Sequence, residues 1–280
     1  TGQVRALAVD GSRLYVGGSF VAGGVNIARS DGNNWRSLAG GGGIPWHLEA
    51  VSVDRNGQLY AGGGQPWTES SQGSGSVLRW NGSDWSTVGG CYDLGSATVC
   101  DGQMDGDILG LATDGDGNLY AVGRFTHISS SPMPPAFHVA VWNGTRWQGL
   151  GHPWAMEPDY VEALAVSADG TLYVAANFVG YEDDEGIPEG YVARLDGSTW
   201  SILGSHMNGH IHALALDGDG SLFAGGEFSA VGDVSANHIA RWDGTGWSAV
   251  GGGLNGTVWA LAADQSGNLC AGGEFTAAGG

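Results

Sequence analysis

At 280 residues the chain can bury one sizeable all-β domain or two smaller ones, and its 53 glycines follow no three-residue period, which excludes collagen. Aromatics at 10%, with 12 tryptophans among them, exclude disorder. A formal net charge of −19, with every basic residue an arginine, argues against nucleic acid and anionic membranes as partners, and no run of 18 apolar residues is present to span a bilayer.

In chain order, one half-unit reads VRALAVDGSRLYVGGSF, LEAVSVDRNGQLYAGGG, ILGLATDGDGNLYAVGRF, VEALAVSADGTLYVAANF, IHALALDGDGSLFAGGEF and VWALAADQSGNLCAGGEF. A second half-unit follows the first five of these: ARSDGNNWRSLAG, LRWNGSDWSTVGG, AVWNGTRWQGLG, ARLDGSTWSILG and ARWDGTGWSAVGG. Each half is two short apolar runs around an Asp-Gly, Asn-Gly or Asp-x-x-Gly turn, the signature of a β-hairpin. Two hairpins make a four-stranded antiparallel sheet. Repeats start near Val4, Leu48, Ile108, Val161, Ile211 and Val258, a period of roughly 45 residues plus loop insertions, which is that of propeller blades.

The expectation is therefore an all-β fold, a single β-propeller domain over 1–280 with six blade positions. The small residues Ala6, Ala50, Gly110, Ala163, Ala213 and Ala260 suit crowded innermost strands. Trp35, Trp85, Trp147, Trp200 and Trp247 recur on the fourth strand, as packing between blades requires. Six first halves against five second halves predict a last blade of two strands, Val258 to Phe275, with an open edge. That edge fits a piece of a longer repeat protein, an oligomer or fibre completed by a neighbour's strands, or an edge left to water.

The run IARWDG-x-x-W-x-x-L/V-G, followed by V-x-A-L-A and LYAGG-x-F, resembles a kelch-related repeat of the kind found in bacterial secreted propellers and the fungal cortical polarity-marker family. Galactose-oxidase-like propellers are more distant relatives, and no residue set here would carry that enzyme's copper chemistry. The resemblance covers essentially the whole chain and implies the fold; propellers host enzymes, lectins and scaffolds alike.

Turns joining strands one to two and three to four are short in every repeat, and all insertions fall on the other two connections, at 65–76, 90–107, 127–138, 152–160 and 181–190. By alternation these share one face, where binding is expected. Its aromatics include Trp46, Trp67, Tyr92, Trp154, Tyr160 and Tyr181, and its acids include Asp183 and Asp184. Aromatics beside carboxylates suit sugar stacking and hydroxyl recognition, or cation capture; the plain alternative is a solvated acidic surface. A second signal is the second residue of the first strand, which varies inside a monotonous motif: Arg5, Glu49, Leu109, Glu162, His212 and Trp259. It would form a varied ring near the channel mouth, or simply a solvent-facing position.

No cofactor is expected, calcium being the exception weighed. Asp114 and Asp116, like Asp217 and Asp219, have some of the spacing of calcium loops but sit on turns that want Asp and Gly anyway. His210 and His212 lie on one side of an extended segment and could ligate a metal with a third ligand. Cys91 and Cys100 bracket a loop, so a disulfide and an oxidising, extracellular setting are expected; Cys270 replaces a strand tyrosine and should be buried. Asn81-Gly-Ser83, Asn143-Gly-Thr145 and Asn255-Gly-Thr257 match glycosylation acceptors, but the first two are also plain hairpin turns. The function expected is a secreted, non-enzymatic binding or scaffold propeller for a glycan or protein. A carbohydrate-active enzyme on the same face is the first alternative, and a structural subunit working through the open blade edge is the second.

Overall fold

The computed structural model describes residues 3–22, 25–38, 47–64, 74–89, 91–93, 98–100, 103–128, 135–154, 158–178, 188–263 and 268–279. It is an all-β propeller of small antiparallel sheets, with no helix among the described residues. Two compact units divide the chain, Thr1–Gly151 and His152–Gly280.

The first unit holds three blades. Blade one runs Gln3–Asp10, Arg13–Ala22, Val25–Ser30 and Trp35–Ser37; blade two runs His47–Val53, Leu59–Gly64, Gly75–Trp80 and Trp85–Thr87; blade three runs Ile108–Thr113, Leu119–Gly123, Val139–Trp142 and Trp147–Gly149. Each pairs in chain order, and Gln103–Met104 adds a short fifth strand along Gly75–Trp80 of blade two. In the second unit, blade four comprises Tyr160–Val166, Leu172–Phe178, Glu189–Asp196 and Thr199–Ile202. Blade five comprises Ile211–Leu216, Leu222–Gly226, Ile239–Trp242 and Trp247–Ala249. Val258–Ala263 and Leu269–Gly273 form a sixth sheet of two strands. Five full blades and a two-stranded sixth sheet match the count of half-units in the sequence.

Turn chemistry fixes the hairpins. In the Asp-x-x-Gly turns, Asp54 Oδ1 accepts from the Asn56 and Gln58 backbone N–H groups, and Asp217 Oδ1 from those of Asp219 and Ser221. Gly220 supplies the positive φ, 80°, that closes the latter. Asn81 and Asn143 play the same part between strands three and four, each accepting from two backbone N–H groups. Asn255 does something else: its amide accepts from the Thr276 and Ala277 N–H groups, as Asn208 does from Ser229 and Ala230. Both amides clamp the loop before a first strand to the loop after the second.

Blade-to-blade packing explains the recurrent tryptophans. Trp85 donates Nε1–H to Leu38 O at 2.8 Å, Trp147 to Val88 O at 2.9 Å and Trp247 to Leu203 O at 2.7 Å, in each case the end of the preceding blade. Each indole also packs at 5.2 to 5.9 Å on a tryptophan of its own third strand. Trp35 differs: it is exposed, with Val4, Leu7 and Val9 of the same blade. Of the six small residues on the first strands, Ala50, Ala163 and Ala213 are buried as expected, Ala6 and Gly110 are half-buried and Ala260 is exposed. Second strands are buried throughout in blades two, three and five, whereas Leu269–Gly273 of the sixth sheet is partly open. For that reason Cys270 is exposed and not the buried strand residue expected from sequence.

Candidate functional site

One irregularity recurs in all six first strands. The pairing of strand one with strand two skips a residue between Val4 and Ala6, Leu48 and Ala50, Ile108 and Gly110, Val161 and Ala163, Ile211 and Ala213, and Val258 and Ala260. The skipped residue is the variable second position: Arg5, Glu49, Leu109, Glu162, His212 and Trp259. A bulge takes its residue out of the ladder and re-aims the side chain. Within each unit it brings some of these side chains together. In the first unit Arg5 Nη1 lies 3.3 Å from Glu49 Oε2. In the second unit Glu162 meets His212, and His212 meets Trp259.

The second-unit group is built from blades four and five and the sixth sheet. His212 Nδ1 stands 3.0 Å from Glu162 Oε1. A carboxylate can only accept, so Nδ1 carries the proton. Glu162 is held in turn by Asn177, whose Nδ2 donates to Glu162 Oε2 at 3.1 Å. Asn177 is fully buried. Its amide also bridges to blade five, Nδ2 donating to Ile211 O at 3.0 Å and Oδ1 accepting from Ile211 N at 2.9 Å. On the other side of the imidazole, Nε2 faces Glu227 Oε1 at 3.4 Å. The ring lies on Trp259, centroids 4.2 Å apart and planes 29° from parallel. Trp259 itself is 46% exposed.

Burial pulls the His212 pKa down, but the hydrogen bond to Glu162, that group's charge and the charge of Glu227 outweigh it, and the net shift is upward. His210 precedes the same strand, with its ring 6.0 Å from that of His212 and edge-on to it. Backbone geometry ties these positions together: Glu227 N–H donates to His210 O at 2.9 Å, and His238, at φ 64°, directs Nδ1 to Gly226 O at 3.1 Å. All these groups sit where strand one begins and strand two ends, the end that carries the insertions.

The other expected site residues fall into three groups. Trp154 and Tyr160 are buried and offer no open ring: Trp154 lies against His152 and Phe178, and Tyr160 against His210. Sequence alternation could not show that these insertion-loop aromatics fold inward. Trp46, Trp67, Tyr181, Asp183 and Asp184 lie outside the described residues, as does the side chain of Tyr92. The turn aspartates are explained by their turns. Asp114 Oδ1 accepts from the Asp116 and Asn118 N–H groups, and Oδ2 from Asn118 Nδ2 and the Tyr120 hydroxyl. Burial and the Asp114 charge push the Tyr120 pKa up to about 12. Cys91 and Cys100 are register partners in a short hairpin, with their side chains outside the described residues.

Asn177 and Glu227 were missed from sequence. They occupy one motif slot, the residue after the second glycine of LYxGG, which reads Ser19, Gly64, Arg124, Asn177, Glu227 and Glu274. That slot varies as freely as the bulge position, and the same comparison of repeats would have found it.

The family described as "Domain of unknown function (DUF5122) beta-propeller" matches residues 218–246, within blade five. No curated protein matches the chain. Among solved structures, the extracellular domain of BT4673 from B. thetaiotaomicron is similar at TM-score 0.60 and 14% identity, over 96% of this chain and 31% of that one. PorZ, a surface component of the type-IX secretion system of Porphyromonas gingivalis, is similar at TM-score 0.52 and 15% identity, over 91% of this chain and 37% of its own. A gluconolactonase from Xanthomonas campestris, XC5397, matches at TM-score 0.56 and 14% identity, over 98% of this chain and 84% of that one. The chain thus spans about a third of the length of the first two. At these identities the likeness is one of propeller fold.

Proposed function

We propose that the chain is an extracellular, non-enzymatic binding propeller of kelch-related repeats, holding a glycan or protein ligand on the face that carries the insertions. The observation that supports this best is Trp259. Its indole is half exposed, is backed by the buried His212 ring, and has the Glu162 and Glu227 carboxylates beside that ring. An aromatic face with hydrogen-bonding acids at its margin suits a sugar ring, which offers C–H groups to the indole and hydroxyls to the carboxylates. An extracellular domain and a bacterial surface component among the similar structures support the location.

A glycan array tests the reading, with a hydrolysis screen on the same preparation. The expected result is saturable binding to one glycan class, weakened at least tenfold in Trp259→Ala. Turnover abolished by Glu162→Gln or Glu227→Gln would replace this reading with the enzymatic one, toward which the gluconolactonase likeness points. Absence of both binding and turnover would overturn the glycan ligand.

The extracellular setting carries its own expectation. Cys91 and Cys100 are opposed in an antiparallel hairpin, and we propose that they are bridged. Intact mass of the unreduced chain should then be two hydrogens below that of the reduced chain. Both thiols alkylating freely without reductant would refute the bridge.

A further inference from the structure

Among the described residues, one group of three or more His, Cys, Asp or Glu side chains brings its ligand atoms within reach of a common ion: His210, His212 and Glu227, all within 4.8 Å of one another. We propose that these three residues form a site for a borderline divalent cation of the zinc type, with Glu162 as its orienting carboxylate. The site does not depend on the glycan reading.

The first argument is the hydrogen-bond state of His212. Its side chain is only 6% exposed, and Nδ1 is committed to Glu162. In the neutral ring Nε2 is therefore a bare lone pair, and it is buried without a hydrogen-bond partner. What it faces is another acceptor, the Glu227 carboxylate at 3.4 Å. Two acceptors aimed at each other repel unless a cation lies between them, either a proton on Nε2 or a metal ion. His210 Nε2 is likewise buried with no hydrogen-bond partner. Two unsatisfied imidazole nitrogens and a carboxylate then converge at one end of one hairpin.

The second argument is metric. Tetrahedral zinc with bonds of about 2.0–2.1 Å holds neighbouring ligand atoms roughly 3.3 Å apart. The separation of 3.4 Å between His212 Nε2 and Glu227 Oε1 matches that edge. The ligand atom of His210 lies within 4.8 Å of the other two, so the triad must close by at most about 1.5 Å to reach that geometry. The third argument is the support behind the ligand. A ligating histidine usually donates its other N–H to a carboxylate, which fixes tautomer and ring orientation. Glu162 does this for His212, and the buried Asn177 fixes Glu162. Two imidazoles and one carboxylate favour zinc, nickel or copper over calcium or magnesium, which take oxygen. Three protein ligands leave a fourth position for water or a ligand group.

The test uses the full chain, stripped of metal by chelation, and calorimetric titration with Zn²⁺ at physiological ionic strength. A Cys270→Ser background removes the exposed thiol as a competing ligand. One zinc per chain is expected, with affinity reduced at least tenfold in His210→Ala and in Glu227→Gln. Glu162→Gln, altering a positioning residue, should weaken binding ten- to a hundredfold while stoichiometry stays at one. Paramagnetic Co²⁺ should broaden the Trp259 indole signal before those of the other tryptophans, and Ca²⁺ should not displace it. Far-UV circular dichroism checks the fold of each variant; if His210→Ala does not fold, Glu227→Gln decides, because its side chain is the most exposed of the three. Weak binding of many zinc ions to the acidic surface with no one-to-one phase would overturn the site. So would one-to-one binding left unchanged in Glu227→Gln.

Discussion

Replacing Asn177 with alanine is expected to destabilise the chain by about 3 kcal/mol or more, the upper end for a single substitution. Asn177 acts as a peptide group carried on a side chain. Its amide completes an N–H and a C=O bond with Ile211 of the next blade and steadies Glu162 with a third contact. Alanine leaves the Ile211 amide and carbonyl buried and unpaired, and each such loss costs about 1–3 kcal/mol. Urea denaturation reads the result directly as a lower midpoint, and a drop under about 1 kcal/mol would show that water replaces the amide. Asn177→Leu should not rescue stability, because volume is not what is missing.

The second large effect comes from adjacent glycines in the sixth sheet. A Cβ on Gly273 would stand 2.0 Å from Thr257 O and 3.0 Å from Val258 Cα, both backbone. A Cβ on Gly272 would meet nothing closer than Ala260 Cβ at 3.9 Å. Gly273→Ala is expected to cost about 3 kcal/mol or more, since the bulge itself must shift, while Gly272→Ala should change stability by about 0.5 kcal/mol or less. In blade five the same first slot is crowded: a Cβ on Gly225 would lie 2.5 Å from Val258 Cγ1 and 3.1 Å from Leu261 Cδ1. Gly225→Ala should therefore cost about 1–3 kcal/mol. Blade four carries Ala176 in the slot that Gly273 fills in the sixth sheet, opposite Val161 and beside the same bulge, so its backbone there already leaves room for a Cβ. Equal losses at Gly272 and Gly273 in parallel denaturation curves would contradict the bulge account.

The fold was legible because its signals are local. An Asp-Gly turn between two apolar runs declares a hairpin wherever it falls, and eleven half-units repeat that declaration. The packing role of Trp85, Trp147 and Trp247 followed from recurrence alone. The candidate site was half legible. Glu162, His212 and Trp259 stood out as variable letters in a constant motif, but Asn177 lies on a second strand and Glu227 just after one, and only register and blade neighbours bring them to His212. Burial was harder still. Nothing in the spacing of Trp154 and Tyr160 distinguishes an aromatic that folds under a loop from one that faces out.

The recurring bulge also bears on how such a chain can diversify. Ordinarily a strand residue answers to its cross-strand partner and to the face it presents, so a change of chemistry disturbs the sheet. A residue left out of the ladder is released from the first of these duties. When the hairpin is duplicated, every copy inherits one slot whose side chain can be cation, acid, imidazole, indole or leucine with the pairing on either side unchanged, and this chain displays all five. Neighbouring slots then touch, so a new chemistry arises from two or three substitutions in different copies, as the Arg5–Glu49 and Glu162–His212–Trp259 contacts show. Duplication thus supplies interchangeable seats at fixed spacing, and selection has only to choose the occupants.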